Sequence, residues 1–268
     1  MDAQRLQSQR LDEVRRTIDE IDAKLLDLLE RRFEVSRTVA AIKAEQPSAT
    51  PTSPVRPARE SLILRRLLER STGAVPPQVL VRLWRHIISG STLVQAPALV
   101  RAPEDVLGDP LLRDMLRDHF GTVPLAPVAD SAAALTAIRE RPAEIAAIKL
   151  GGSWLGSFRR GAAGEACVIG VLPSISDGSA PVLALVGHAV PEPSGADETL
   201  VATSGRLPRD FSPLPLWDLE TDTGVRISSL PGFLSEAEHP LVGLKRGNDS
   251  LALTVLGRYP SPLEVRQP

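Results

Sequence analysis

Over residues 11–42 apolar side chains recur at alternating steps of three and four: Leu11, Val14, Ile18, Ile21, Leu25, Leu28, Val35, Val39 and Ile42. A seam sustained this long marks a helix that packs lengthwise on other helices. The pattern calls for an apolar residue at position 32, where the chain has Arg32. A guanidinium buried without a partner costs several kcal/mol or more, so a carboxylate must meet it. That carboxylate belongs either to the chain itself or to a bound ligand. No Gly or Pro interrupts residues 11–45, and at roughly 1.5 Å per residue the helix is about 50 Å long. Such a length does not fit a compact globular monomer, and it implies a helical hairpin or an intertwined oligomer.

Three prolines in residues 46–54 forbid helix there. A second helix is expected at 57–71, opened by Pro57, with a stripe of Leu62, Leu64, Leu67 and Leu68. Gly73 stops it, and Pro76-Pro77 opens a third helix to about Gln95, with Leu80, Leu83, Trp84, Ile87, Ile88 and Leu93 facing inward. The three helices make an all-α domain over residues 8–97. Beyond Pro97 short apolar runs alternate with helical stretches: helices at 110–119 and 131–141, and strands at 145–148, 167–172 and 182–186. This is an α/β pattern over 98–190. The Pro- and Gly-rich stretch 191–195 is a linker, and an α+β segment over 197–268 ends in a strand at 251–256. The fold class is therefore α followed by α/β.

A single cysteine, Cys167, rules out an intrachain disulfide, and no zinc-ligand spacing is present, so no metal site is expected. Cys167 lies in an apolar strand and reads as a core residue. No apolar run approaches a membrane span and the first residues lack a signal-peptide core, so a cytoplasmic protein is expected. Residues 1–97 carry 16 Lys+Arg against 12 Asp+Glu, and the remainder 15 against 21. That surplus suits a small anion and is too weak to argue for nucleic acid. His86, His119, His188 and His239 pair with no nucleophile or acid in sequence and read as structural.

Arg32 and Lys43, 11 residues apart, lie about 20° apart on the helical wheel and some 16 Å apart along the axis, so both can converge on one ligand. Arg15, 17 residues before Arg32, is about 100° away and about 25 Å up the helix. Only an antiparallel copy of the helix could deliver it to the same pocket. Ser91 and Gln95 share a face of the third helix, and Arg59-Glu60 opens the second.

The stretches LDEVRRTIDEIDAKLLDLLERRFEVSRTVAAIK, PVRPARES and RLWRHIISGSTLVQ resemble the all-helical, AroQ-type chorismate mutases, especially the front domain of the bifunctional chorismate mutase–prephenate dehydratases. The resemblance implies an intertwined homodimer and conversion of chorismate to prephenate in phenylalanine and tyrosine biosynthesis, without cofactor. It implies that Arg15 of the partner and Arg32 clamp the substrate carboxylates, and that Lys43 and Gln95 donate to the ether oxygen. It further implies that Glu60 accepts from the ring hydroxyl while Arg59 and Ser91 position substrate and site. The residue types suit a pericyclic step: arginines hold a dianion compactly, and fixed donors meet charge that grows on the ether oxygen. The family usually has an aspartate where this chain has Arg56, which predicts weaker substrate binding.

The stretch LRDHFGTVPLAPVADSAAALTAIRERPAEIAAI resembles the first lobe of a prephenate dehydratase, and TVLGRYPSPLEV the close of an ACT-type domain. The dehydratase Thr-Arg-Phe is replaced by Ser179-Ala180-Pro181, so no dehydratase activity is expected. Two other readings stand beside the mutase: an isochorismate–pyruvate lyase, which shares the bundle and clamps, and a non-catalytic regulatory dimer of the same pathway.

Overall fold

The computed structural model describes residues 2–45, 53–176, 178–247 and 251–265, so most of the proline-rich break after the first helix lies outside the described residues. Two compact units are present, Met1–Pro47 with Val94–Ala96, and Ser48–Leu93 with Pro97–Pro268. The second helix and the third as far as Leu93 cluster with the sheet that follows them, and Val94–Ala96 with the first helix.

The first unit is built on α1 (Asp2–Glu45), 44 residues long. It starts nine residues earlier than the seam, because residues 2–10 contain neither Gly nor Pro to stop it. The seam side chains from Leu11 to Ile42 are between 37% and 63% exposed in the single chain.

In the second unit α2 (Pro57–Arg70) begins on Pro57, whose missing N–H costs nothing in a first turn. Next comes α3 (Pro77–Gln95). Leu64 of α2 and Val81 of α3 form a small core with Leu263, near the end of the chain. Leu83, expected to face inward, is 52% exposed, and Val81 is buried instead. The face of α3 that packs is turned by about half a turn from that residue, so Val81, Arg85 and Ile88 are the side chains shut away.

Then follow β1 (Val100–Pro103), α4 (Glu104–Leu107), α5 (Pro110–Phe120), β2 (Leu125–Val128), α6 (Ser131–Glu140), β3 (Ile145–Lys149), α7 (Trp154–Arg159), β4 (Cys167–Leu172), β5 (Ile175–Ser176) and β6 (Leu183–Gly187). The last third holds β7 (Asp197–Thr203), β8 (Trp217–Glu220), β9 (Arg226–Pro231), α8 (Leu241–Gly247), β10 (Leu253–Pro260) and β11 (Leu263–Glu264). Asp109 caps α5 by accepting from the Leu111 and Leu112 amides at 2.9 and 3.3 Å, and Asp130 caps α6 through the Ala133 amide at 2.7 Å. The helical crossovers make β1 parallel to both β2 and β3.

Among the described residues nine strands form one sheet in the order β2-β1-β3-β6-β4-β10-β7-β9-β8. Residues 98–190 and 197–268 thus share a sheet: β10 runs parallel to β4 and antiparallel to β7. Where β10 meets β4, Gly257 lies opposite Val168, so close that a side chain there would run into the Val168 backbone. Ala146, Ile148, Val168 and Leu256 anchor one apolar layer, and Val100, Ile145, Ile169 and Leu185 another. Alternate residues of β3 go to opposite layers, as a strand covered on both faces requires. No helix is long and apolar enough to cross a membrane among the described residues.

Candidate functional site

The first unit brings two of the expected residues together. Lys43 Nζ, in the last turn of α1, donates to Gln95 Oε1, at the end of α3, across 3.2 Å. An amide side chain carries both an acceptor oxygen and a donor NH₂. Two donors side by side can polarise an oxygen on which negative charge accumulates. Arg32, on the same helix, is half-buried, and that burial pulls its guanidinium below the usual arginine range. Arg15 is exposed and reaches Asp12 one turn away at 3.3 Å, a surface pair worth little.

The second unit holds the other three. Arg59 is exposed. Ser91 is buried and donates to the Ile87 carbonyl at 2.8 Å, a bond back along the same helix. Glu60 accepts from Arg85 Nη1 at 2.8 Å, and the two side chains are only 12% and 8% exposed. Burial lowers the Arg85 guanidinium, and Glu60, by charge and hydrogen bond, pulls the other way.

Arg85 is the residue the sequence reading missed, although its signal was present. With Val81 and Ile88 it lies on the packed face of α3, a guanidinium interrupting an apolar stripe just as Arg32 interrupts the seam. Arg56 also has a place: it makes a two-pronged contact with Glu192 of the linker at 2.8 and 2.7 Å. Arg65 ties the same linker down, donating to Ser194 Oγ and to the Ser194, Ala196 and Ser261 carbonyls at 2.8 to 3.2 Å.

Farther along, Ser179-Ala180-Pro181 lines an open cleft of about 1020 Å³ with Arg65, Asp197, Glu198 and Trp217. Behind it Glu198 Oε2 accepts from Ser229 Oγ at 2.5 Å and from the Tyr259 hydroxyl at 3.0 Å. Burial, then the Glu198 charge, pushes the Tyr259 hydroxyl well above its usual range, so it stays a donor. Cys167, at the start of β4, is partly buried against the apolar layer of Val100 and Ile169, and burial raises its thiol.

Residues 14–96 match the family model for chorismate mutase type II. All seven expected site residues, Arg15 to Gln95, fall inside that stretch. A bifunctional chorismate mutase/prephenate dehydratase from Stutzerimonas stutzeri is 30% identical over 95 residues, covering 35% of this chain and 26% of that protein. The chain thus spans about a quarter of the length of the curated relatives it matches. Two solved structures are similar to it at low identity. One is titled as a quorum quenching acylase, GqqA (TM-score 0.38, 13% identity, 61% of this chain and 95% of that one). The other is a prephenate dehydratase from Streptococcus mutans (TM-score 0.36, 14% identity, 63% and 100%).

Proposed function

We propose that this chain is a cytoplasmic chorismate mutase that works as a homodimer. The observation that carries the reading is the Lys43–Gln95 pair, made between residues 52 positions apart inside a stretch that matches the mutase family. Chorismate is a dianion that rearranges without nucleophile, metal or cofactor. Arg32, and Arg15 of the second copy, hold its two carboxylates in a compact near-attack shape. As the ether C–O bond lengthens, charge grows on the oxygen, and Lys43 Nζ and the Gln95 amide donate to it. Glu60, steadied by Arg85, accepts from the ring hydroxyl, and Arg59 and Ser91 position substrate and site.

The second copy is supported by the seam. An apolar stripe at least 37% exposed along a helix of 44 residues is costly in water, and another such helix is the surface that covers it. For residues 98–268 we propose a folded appendage without dehydratase activity. The segment Ser179-Ala180-Pro181 brings to its cleft neither the threonine nor the arginine of the dehydratase motif.

The test is chorismate consumption by the full chain with the product identified, beside its mass in solution. Prephenate is expected, and Lys43→Met should lower kcat about 10²–10³-fold, the usual loss of one donor to a developing oxyanion. A well-folded dimer that leaves chorismate untouched, or that releases pyruvate, overturns the reading. Phenylpyruvate made from prephenate at neutral pH overturns the proposal for the second half.

A further inference from the structure

Among the described residues four polar side-chain atoms of the second unit are enclosed without a hydrogen-bond partner: His188 Nε2 stands apart, and Ser61 Oγ, Arg85 Nε and His119 Nδ1 fall together. Ser61 and Arg85 are 5% and 7% exposed. All three residues line a single cavity of about 40 Å³. Protein interiors rarely leave such atoms unmet, and three on one cavity call for an occupant. The cavity has room for a few waters and no more.

A larger pocket of about 300 Å³ shares Arg85, His119 and Ser174 with it. Its lining is mixed: Val81 of α3, Leu111 and Met115 of α5, and Leu172 make an apolar side, and Gln78, Asp114 and Asp118 a polar one. At the rim Arg82 pairs with Asp118 at 2.8 Å. The volume is at the lower end of small-molecule sites, roughly 300–1,000 Å³.

Charge decides what fits. The Arg85 cation is already matched by Glu60 at 2.8 Å. Burial, then the Arg85 charge, holds the His119 imidazole well below its ordinary range, so near pH 7 it is neutral. The Arg85–Glu60 and Arg82–Asp118 pairs are each internally balanced, and Asp114 adds a further carboxylate to the lining, so the pocket offers no surplus of positive charge. A carboxylate placed there would stand uncompensated beside Glu60, at a large desolvation cost. A neutral amide or alcohol meets no such penalty. Its oxygen accepts from Arg85 Nε, and its N–H or O–H donates to His119 Nδ1.

We propose that the pocket between α3 and α5 binds a small uncharged molecule with an amide or hydroxyl head, seated on Arg85 and His119, and an apolar body against Val81, Leu111 and Met115. Glu60 is the one residue shared with the proposed mutase site, and here it serves as the counter-ion of Arg85.

The test is calorimetric titration of the full chain with benzamide and with benzoate, which share an apolar body and differ in head charge. Benzamide should bind with a Kd on the order of 1 mM, and benzoate at least about tenfold more weakly because its charge is unpaired there. Met115→Trp, which fills the pocket, should abolish benzamide binding. In the wild type, benzamide should shift the His119 imidazole resonances. Equal or tighter binding of benzoate overturns the proposal, as does absence of saturable benzamide binding. Binding that leaves His119 unmoved, or that survives in folded Met115→Trp, puts the ligand elsewhere and overturns it too. These readouts do not involve chorismate turnover, so the pocket and the mutase reading fail separately.

Discussion

Replacing Arg85 by methionine keeps most of the aliphatic stem and deletes the charge. The Glu60 carboxylate, 12% exposed in the pair, is left without its cation. Breaking a buried pair from one side costs about 3–5 kcal/mol. The variant should therefore lose about 3–5 kcal/mol at pH 7. Glu60→Gln added to Arg85→Met removes the stranded charge and should recover most of the loss. Urea unfolding followed by circular dichroism measures both. A penalty below about 1 kcal/mol, or a double variant no better than the single one, refutes the reasoning.

Gly257→Ala should destabilise the sheet by at least about 2 kcal/mol, because the new Cβ meets the Val168 backbone and β10 must leave β4; an unchanged urea midpoint sinks that account. His119 is held neutral by burial, so below about pH 6.5 the unfolded chain gains a proton that the folded one refuses, and stability falls with a slope of up to about 1.36 kcal/mol per pH unit. In His119→Phe that part of the slope should vanish between pH 6.5 and 5, and identical slopes in the two proteins would show that the imidazole is not shielded.

Much of the fold was readable in order along the chain. Pro57, Pro77 and Pro110 stand where α2, α3 and α5 begin, and Asp109 and Asp130 cap the helices they precede. The apolar runs at 145–148 and 167–172 coincide with β3 and β4. The expected strand at 182–186 is β6 one residue later, and that at 251–256 is β10, which runs to Pro260. The edge strands β2 and β8 escaped, since a run such as LAPV or WDLE is too short and mixed to carry a period. Arg85 escaped for a different reason. It interrupts a stripe as plainly as Arg32 does, but on a helix of 19 residues the inward face is ambiguous by one position, and Leu83 was assigned to it.

The sequence by itself determined the long helix, its unbroken apolar seam and the charges set along it, because helical period and the absence of Gly and Pro are local properties of the chain. Tertiary structure decided the partners. Lys43 meets Gln95 across 52 positions, Glu60 meets Arg85 across 25, and β10 enters the sheet beside a strand some 90 residues earlier. Each depends on a long-range closure whose entropy cost is met by packing elsewhere, and no window of sequence records which closure wins. Arg32 announces that a charge must be matched. Where the chain folds determines what comes near enough to match it.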